Sequence, residues 1–273
     1  MSAAEQPTPG QPGAHEHQDA LRDGWRLAFG TLTLIPVKPP VAVTREVAGV
    51  AMAVAPLAVL PVAAAASLVG ALLALLGVPE LAVGLIVVGA LAAGTRFIHA
   101  DGLADTADGL GASFDRARAL DVMRTGDVGP MGATTLILVL GAQAACAGAL
   151  LRTPAGWVLL ALALAGSRAA LAVGTRRGVP AARPEGLGQA VAGSLPLERC
   201  LVVWGCLGLL ITLVGALTGL PWWQGLLAVL AAAGASVGGV WWARRRLGGI
   251  TGDVLGALVE VTALVLLVAL AAV

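Results

Sequence analysis

Three carboxylates lie within eight residues of this chain, at Asp101, Asp105 and Asp108. If the segment is helical they share one face, because positions i, i+4 and i+7 point the same way. Like charges at that spacing repel by roughly a few tenths of a kcal/mol per pair, a cost that a divalent cation would reverse. Clustered carboxylates suit Mg²⁺, which commonly binds one or two of them together with substrate phosphates. The flanking Gly102 and Gly109 favour this interpretation over an acidic, solvated loop, since glycine permits close approach of a ligand.

Further polar residues are candidates for catalysis and for phosphate binding. His99 is a candidate general base or a residue that orients a metal-bound carboxylate, and a structural histidine is the alternative. Arginine forks match the geometry of phosphate oxygens. The candidate substrate-binding residues, including two acids from the same polar segments, are Arg96, Arg124, Asp127, Arg168, Arg183 and Glu185.

Arg168, Asp253 and Glu260 lie in or at the edge of apolar segments. A charge at the centre of a membrane helix costs about 2.5–3.5 kcal/mol, so such residues are functional candidates, with structural pairing among them as the alternative. Glycines flank Asp253 as they flank Asp101, which strengthens its functional interpretation. Carboxylates for Mg²⁺, arginines for phosphates and a membrane scaffold together indicate transfer chemistry on a diphosphate substrate.

The composition indicates an all-α, polytopic membrane protein. Of 273 residues, 58% are hydrophobic and only 12% charged, whereas soluble domains carry about a quarter charged residues. The mean hydropathy is +0.88. The net charge of +1 favours neither a nucleic acid nor an acidic partner, and the three cysteines have no CxxC spacing, so no disulfide is predicted.

Residues 1–18 are rich in Pro, Gln, Gly and Ala and predict a disordered tail, and residues 19–273 predict one membrane domain. Leu21, Trp25 and Phe29 recur at helical spacing and predict a short helix in the membrane interface. A bilayer core requires about 20 apolar residues per helix. The predicted spans are 47–76, 80–98, 132–151, 155–174, 200–219, 222–243 and 252–272. Pro56 and Pro61 leave open whether the first span crosses once or folds back.

The basic residues predict the orientation of these spans. All but two of the seventeen, Arg152 and Arg168, fall on alternate loops. The positive-inside rule then puts the N-terminus, the aspartate segment and the other polar loops in the cytoplasm. The run Arg244–Arg246 is interpreted as part of this topology signal and as a lipid contact.

The sequence motifs of the polar segments resemble those of one family. TRxxHxDGLADTADG, MRxxxVGPxG, SRxA, ARPEGLG and GGxTGDxLGAxxE occur in this order, and the similarity runs from about residue 21 to the end. They resemble the cobalamin synthases, the adenosylcobinamide-GDP ribazoletransferases. The resemblance implies a Mg²⁺-dependent enzyme of the bacterial inner membrane. It would join adenosylcobinamide-GDP to α-ribazole or its 5′-phosphate, releasing GMP and forming adenosylcobalamin or its 5′-phosphate.

The resemblance also implies roles for residues. Asp101, Asp105 and Asp108 would carry the metal, with Asp253 and Glu260 completing or facing the same site. The chain departs from many members in having Ala100 and Ala263 where acidic residues often occur. The alternatives are another diphosphate-using membrane transferase, such as a prenyltransferase or a CDP-alcohol phosphotransferase, and a transporter. A lipid bilayer is the expected surrounding, and homo-oligomerisation is left open.

Overall fold

The computed structural model describes residues 14–272. Its regular elements in this part of the chain are helices, joined by loops that contain two isolated bridges, Arg176 with Leu195 and Ala181 with Ile250. The helices are α1 (Ala14–Leu32), α2 (Arg45–Leu75), α3 (Glu80–Gly94), α4 (Ile98–Ala112), α5 (Arg116–Val122), α6 (Pro130–Leu150), α7 (Gly156–Gly166), α8 (Ala169–Gly174), α9 (Leu187–Val191), α10 (Leu197–Leu217), α11 (Trp222–Leu247) and α12 (Gly252–Ala271). The predicted all-α class is confirmed. The predicted tail lies outside the described residues as far as residue 13, and α1 begins at Ala14.

Six spans in the described part of the chain are long and apolar enough to cross a membrane, with α7 and α8 together forming one of them. The bent pair α3 and α4 makes a seventh if it is counted as one span. The long α2 continues as a single helix through Pro56 and Pro61, so this segment crosses once and does not fold back.

The predicted span 80–98 is correct only as far as Gly94, where α3 ends. Arg96 and Phe97 then adopt positive φ angles of 55° and 57°, and α4 leaves at 95° to α3. The physical reason is that the three carboxylates of α4 cannot continue α3 into hydrocarbon without a large desolvation cost. The turn keeps them at one end of the bundle.

Two tryptophan pairs mark the depth of α11 in the membrane. Trp222 and Trp223 are exposed at its start, and Trp241 and Trp242 are exposed near its end. Trp222 and Trp241 are nineteen positions apart, which is about 28.5 Å at 1.5 Å per residue. That separation matches the roughly 30 Å hydrocarbon core, whose two interfaces favour tryptophan.

The basic loops meet at one end of the bundle, here called the basic end. Arg246, in the last turn of α11, donates to the carbonyl oxygens of Phe114 (2.8 Å) and Ser113 (3.1 Å) just after α4. Arg116, in α5, donates to the carbonyl of Ala182 at 3.1 Å. The loops that the charge pattern assigned to one side therefore do lie together.

Candidate active site

The crossing of α4 and α12 brings Asp253 to the aspartates of α4. A Cβ atom on Gly102 would lie 2.7 Å from the carbonyl oxygen of Asp253, and one on Gly256 would lie 3.0 Å from that of His99. The first distance is shorter than real Cβ contacts and the second is tighter than most of them, so the two helices touch backbone to backbone at this point. The glycines beside the acids therefore have a packing reason.

Four aspartates meet at this crossing, and Asp101, Asp105, Asp108 and Asp253 are together called the aspartate cluster. Asp105 is only 9% exposed, and the negative charges of its three neighbours act on it. Among the side chains described, those of residues 18–272, none donates a hydrogen bond to the carboxylate of Asp101 or Asp105, and no described backbone N–H does so. These two carboxylates are thus crowded by like charge and lack compensating donors.

Asp108 differs from its neighbours because its two oxygens are already occupied. Oδ2 accepts from the backbone N–H of Gly129 at 2.7 Å, and Oδ1 accepts from that of Gly132 at 2.8 Å. A Cβ on Gly129 would lie 2.5 Å from Asp108 Oδ1, and one on Gly132 would lie 2.9 Å from the Ala104 carbonyl oxygen. The VGPxG segment is glycine-rich because its backbone packs directly on α4. Asp108 caps the start of α6 from the neighbouring helix.

Arg183 is the cation that faces the cluster. Its Nη1 lies 3.6 Å from Asp253 Oδ2, and its Nη2 donates to the carbonyl of Leu120 at 2.7 Å. Its Nε is buried and has no hydrogen-bond partner. Burial lowers the pKa of the Arg183 guanidinium, and the charge of Asp253 opposes that shift. One arginine against four aspartates leaves the site negative.

His99 and Arg168 lie beneath the cluster and contact each other. Arg168 is 1% exposed, and its Nη2 lies 3.3 Å from Nδ1 of His99, which is 3% exposed. Because a guanidinium only donates, Nδ1 accepts and the histidine proton is assigned to Nε2. Arg168 also donates to the Leu164 carbonyl at 2.6 Å and to Ser167 Oγ at 3.0 Å. Burial thus favours the positioning role for His99 over a general base, and separates Arg168 from bulk solvent.

Glu260 lies two helical turns along α12 from Asp253, which is about 10.5 Å. Its Oε2 accepts a hydrogen bond of 2.9 Å from Nε2 of Gln143 on α6, and its charge acts on Arg168. The structure therefore places Glu260 in the buried network with Arg168 and not among the four aspartates. Its predicted role as a metal ligand stays a prediction.

The remaining predicted site residues lie at the surface of the basic end. Arg124 and Glu185 form an exposed ion pair at 3.7 Å, which links the two polar segments in which they occur. Asp127 is exposed in the loop before α6. Arg96 contacts the carbonyl oxygens of Gly30 and Thr31 at the end of α1.

The cluster was tested for its fit to Mg²⁺. Among the side chains described, those of residues 18–272, no group of three or more His, Cys, Asp or Glu could by itself hold a metal ion. Mg²⁺ does not need one, because it keeps several waters and binds through one or two carboxylates plus substrate phosphates. Asp101, Asp105 and Asp253 offer hard oxygen ligands with excess negative charge, and this donor set fits a hard cation that arrives with a diphosphate.

Two positioning residues were not identified from the sequence. Arg246 holds the end of α4, whereas the run that contains it was interpreted as a topology signal and lipid contact. Gln143 holds Glu260, and its amide in the apolar sequence of α6 was the signal for it, because polar groups inside a span are rarely incidental.

The chain was compared with known proteins. It matches the model of the family described as cobalamin-5-phosphate synthase over residues 24–271. An adenosylcobinamide-GDP ribazoletransferase from Nocardioides sp. is 46% identical over 253 residues, which are 92% of this chain and 100% of that protein. A protein of the same name from Frankia casuarinae is 35% identical over 90% of this chain and 93% of its own length. No solved structure matches the chain. Because both the family model and these relatives cover nearly the whole sequence, the chain belongs to the cobalamin-5-phosphate synthase family.

Proposed function

We propose that the aspartate cluster is the active site at which this chain joins adenosylcobinamide-GDP to ribazole or its 5′-phosphate. The activity follows from family membership and from the name that its relatives carry, adenosylcobinamide-GDP ribazoletransferase. The observation that ties the activity to the cluster is the environment of Asp105. Its carboxylate is buried, the charges of three other aspartates act on it, and no group in the described residues donates a hydrogen bond to it. Such an arrangement costs stability, and a bound cation with a diphosphate would offset that cost.

In the reaction, a ribose hydroxyl of the acceptor forms a bond to the phosphorus attached to cobinamide. The bond from that phosphorus to the oxygen of GMP breaks, and GMP leaves with the electron pair. When the acceptor carries a 5′-phosphate its 5′ oxygen is already esterified, so the attack comes from another ribose hydroxyl. The family description, which names cobalamin 5-phosphate, agrees with the phosphorylated acceptor.

Each residue of the site has a distinct part in this proposal. Asp101, Asp105 and Asp253 would hold Mg²⁺, which would supply positive charge to neutralise the diphosphate and the departing GMP. Arg183 fixes Asp253 and has its buried Nε left to donate to a phosphate oxygen. Asp108 holds the loop before α6. The proton of the attacking hydroxyl goes to a carboxylate or to water, because His99 is buried and its Nδ1 is occupied.

We further place the chain in the bacterial inner membrane with the basic end in the cytoplasm. The orientation is supported by the basic loops, which gather at one end of the bundle. Insertion in a bilayer is supported by the spacing of the two tryptophan pairs of α11. The aspartate cluster then lies at the cytoplasmic interface, where water-soluble nucleotides reach it.

The test is turnover by the purified chain in lipid nanodiscs with adenosylcobinamide-GDP, ribazole 5′-phosphate and Mg²⁺. We expect a corrinoid product and equimolar GMP, both lost with EDTA and with Asp105→Asn. Asp19→Asn, which makes the same change of carboxylate to amide in an exposed ion pair on α1, is the control and keeps most activity. Full activity of Asp105→Asn would contradict the assignment of the site, and no product from folded wild type would contradict the function.

A further inference from the structure

We propose that a cleft beside the aspartate cluster binds a phosphorylated heteroaromatic nucleoside, with the base on Phe97 and the phosphate at Arg96. This inference rests on the proposed function, because Asp101 belongs both to the cleft and to the cluster. The cleft is called the Arg96 cleft, and its lining residues are Gly30, Thr31, Arg96, Phe97, Ile98 and Asp101.

The Arg96 cleft has the size and the connections of a substrate site. Its volume is about 660 Å³, within the roughly 300–1,000 Å³ that small-molecule sites occupy. The end of α1 forms one side and the turn between α3 and α4 forms the other. At Asp101 the cleft reaches the aspartate cluster, so a ligand in it would point one end at the reacting diphosphate.

The turn presents an exposed aromatic ring at the expense of backbone strain. Phe97 is 56% exposed, and it and Arg96 are consecutive non-glycine residues with positive φ angles, 57° and 55°. A glycine would adopt the same backbone without strain. The turn is nevertheless held firmly: Thr95 Oγ1 donates to the Leu91 carbonyl at 2.9 Å, and the Phe97 N–H donates to the Ala92 carbonyl at 2.7 Å. An exposed ring on a strained but firmly held backbone is suited to stacking against a planar base.

Arg96 supplies an oriented cation. Its Nη2 contacts the carbonyl oxygens of Gly30 and Thr31, which fixes the guanidinium at the end of α1. In the described part of the chain no acidic side chain forms an ion pair with Arg96, so Nε and Nη1 are left to donate. With Nη2 held by the two carbonyl oxygens, the guanidinium keeps its positive charge and free N–H groups, and one of these can donate a charge-assisted hydrogen bond to a phosphate oxygen.

Two ligands of the proposed reaction share this chemistry. One is the acceptor, ribazole 5′-phosphate, and the other is the GMP half of the donor. Each has a planar heteroaromatic base and a phosphate. The experiment therefore measures both.

The experiment is equilibrium dialysis of GMP, ribazole 5′-phosphate and unphosphorylated ribazole against the full chain in nanodiscs, without turnover. We expect Arg96→Gln to weaken binding of one nucleotide by at least about tenfold. If that nucleotide is ribazole 5′-phosphate, binding of unphosphorylated ribazole is unchanged. Phe97→Leu weakens the same nucleotide, and Phe97→Tyr retains it. Arg118→Gln, an exposed arginine on α5 outside the cleft, is the matched control and leaves binding unchanged.

Phe97→Gly separates loss of binding from loss of folding. It relieves the strain of the turn, so it raises the melting temperature while it weakens nucleotide binding. Unchanged affinity of both nucleotides in Arg96→Gln and Phe97→Leu, or failure of wild type to bind either one, would overturn the proposal. Wild type that binds a nucleotide but releases no GMP from the donor would instead contradict the proposed function.

Discussion

Asp105→Asn and Asp108→Asn are neighbouring, isosteric substitutions that we expect to change stability in opposite directions. Asp105 accepts no hydrogen bond from the described residues and has three aspartates near it, whereas Asp108 accepts hydrogen bonds from two backbone N–H groups. In the absence of a cation, removing the charge of Asp105 relieves repulsion. Removing the charge of Asp108 puts an amide NH₂ against a backbone donor. Comparing the two variants therefore distinguishes a carboxylate that is available to bind a ligand from one that stabilises the fold.

The magnitudes follow from these contacts. Asp105 repels Asp101 and Asp108 on its own helix by a few tenths of a kcal/mol each and Asp253 across the crossing, about 1 kcal/mol in total. That corresponds to a melting temperature about 2–4 °C higher for Asp105→Asn. Asp108→Asn loses at least one charged hydrogen bond, worth about 1.5–3 kcal/mol, and melts at least about 3 °C lower.

The assay is thermal unfolding in nanodiscs with EDTA and then with Mg²⁺ and pyrophosphate. Ligand at about 100 times its dissociation constant would stabilise wild type by about 2.7 kcal/mol, and Asp105→Asn would lose most of this gain. Asp108→Asn that still folds would retain part of it. If Asp105→Asn melts below wild type in EDTA, or gains as much from Mg²⁺ as wild type does, the carboxylate is structural and the assignment of the metal site is refuted.

Three further predictions concern residues around the site. Glu260→Gln retains the stabilisation by Mg²⁺ and pyrophosphate, because the Glu260 carboxylate is engaged by Gln143 and not by the metal. Asp253→Asn loses that stabilisation. An equal loss in both variants would indicate that Glu260 is a metal ligand. Arg246→Gln lowers both the melting temperature and turnover by releasing the end of α4, and Arg244→Gln, for which no bond to α4 is seen in the described residues, is the neutral control in the same assays. The Val41 N–H lowers the pKa of Asp23, so this carboxylate stabilises the fold above the ordinary carboxylate pKa and less as pH falls. Asp23→Asn should therefore melt below wild type at pH 7, with a difference that shrinks as pH falls below about 4; a difference independent of pH would contradict this.

Much of the fold was predictable because membrane helices are specified locally. Six predicted spans correspond to helices, and the loops assigned to one side by charge do meet there. The span 80–98 was wrong beyond Gly94, because its apolar residues continue through Phe97 and Ile98 while the backbone turns at Arg96. Hydropathy measures only transfer to lipid and contains no signal for such a turn.

The site was predictable in its residue types more than in its geometry. The spacing of the aspartates on one face and the glycines beside Asp101 and Asp253 indicated where backbones approach, and the structure shows that approach at Gly102 and Gly256. The same pattern could not distinguish Asp105 from Asp108, because both lie on the same face of α4.

By itself, the sequence determined the all-α membrane fold, the family and the acidic segment on which the proposed chemistry depends, because hydropathy, charge and motif spacing are properties of contiguous residues. The tertiary structure decided which charged groups meet. It brought Asp253 to Asp105 across 148 positions of the sequence and bonded Asp108 to the loop before α6. Beneath the site it paired Arg168 with His99 and Glu260 with Gln143. These partners belong to different helices, and the energy of a buried charge depends on what the crossing helices place beside it.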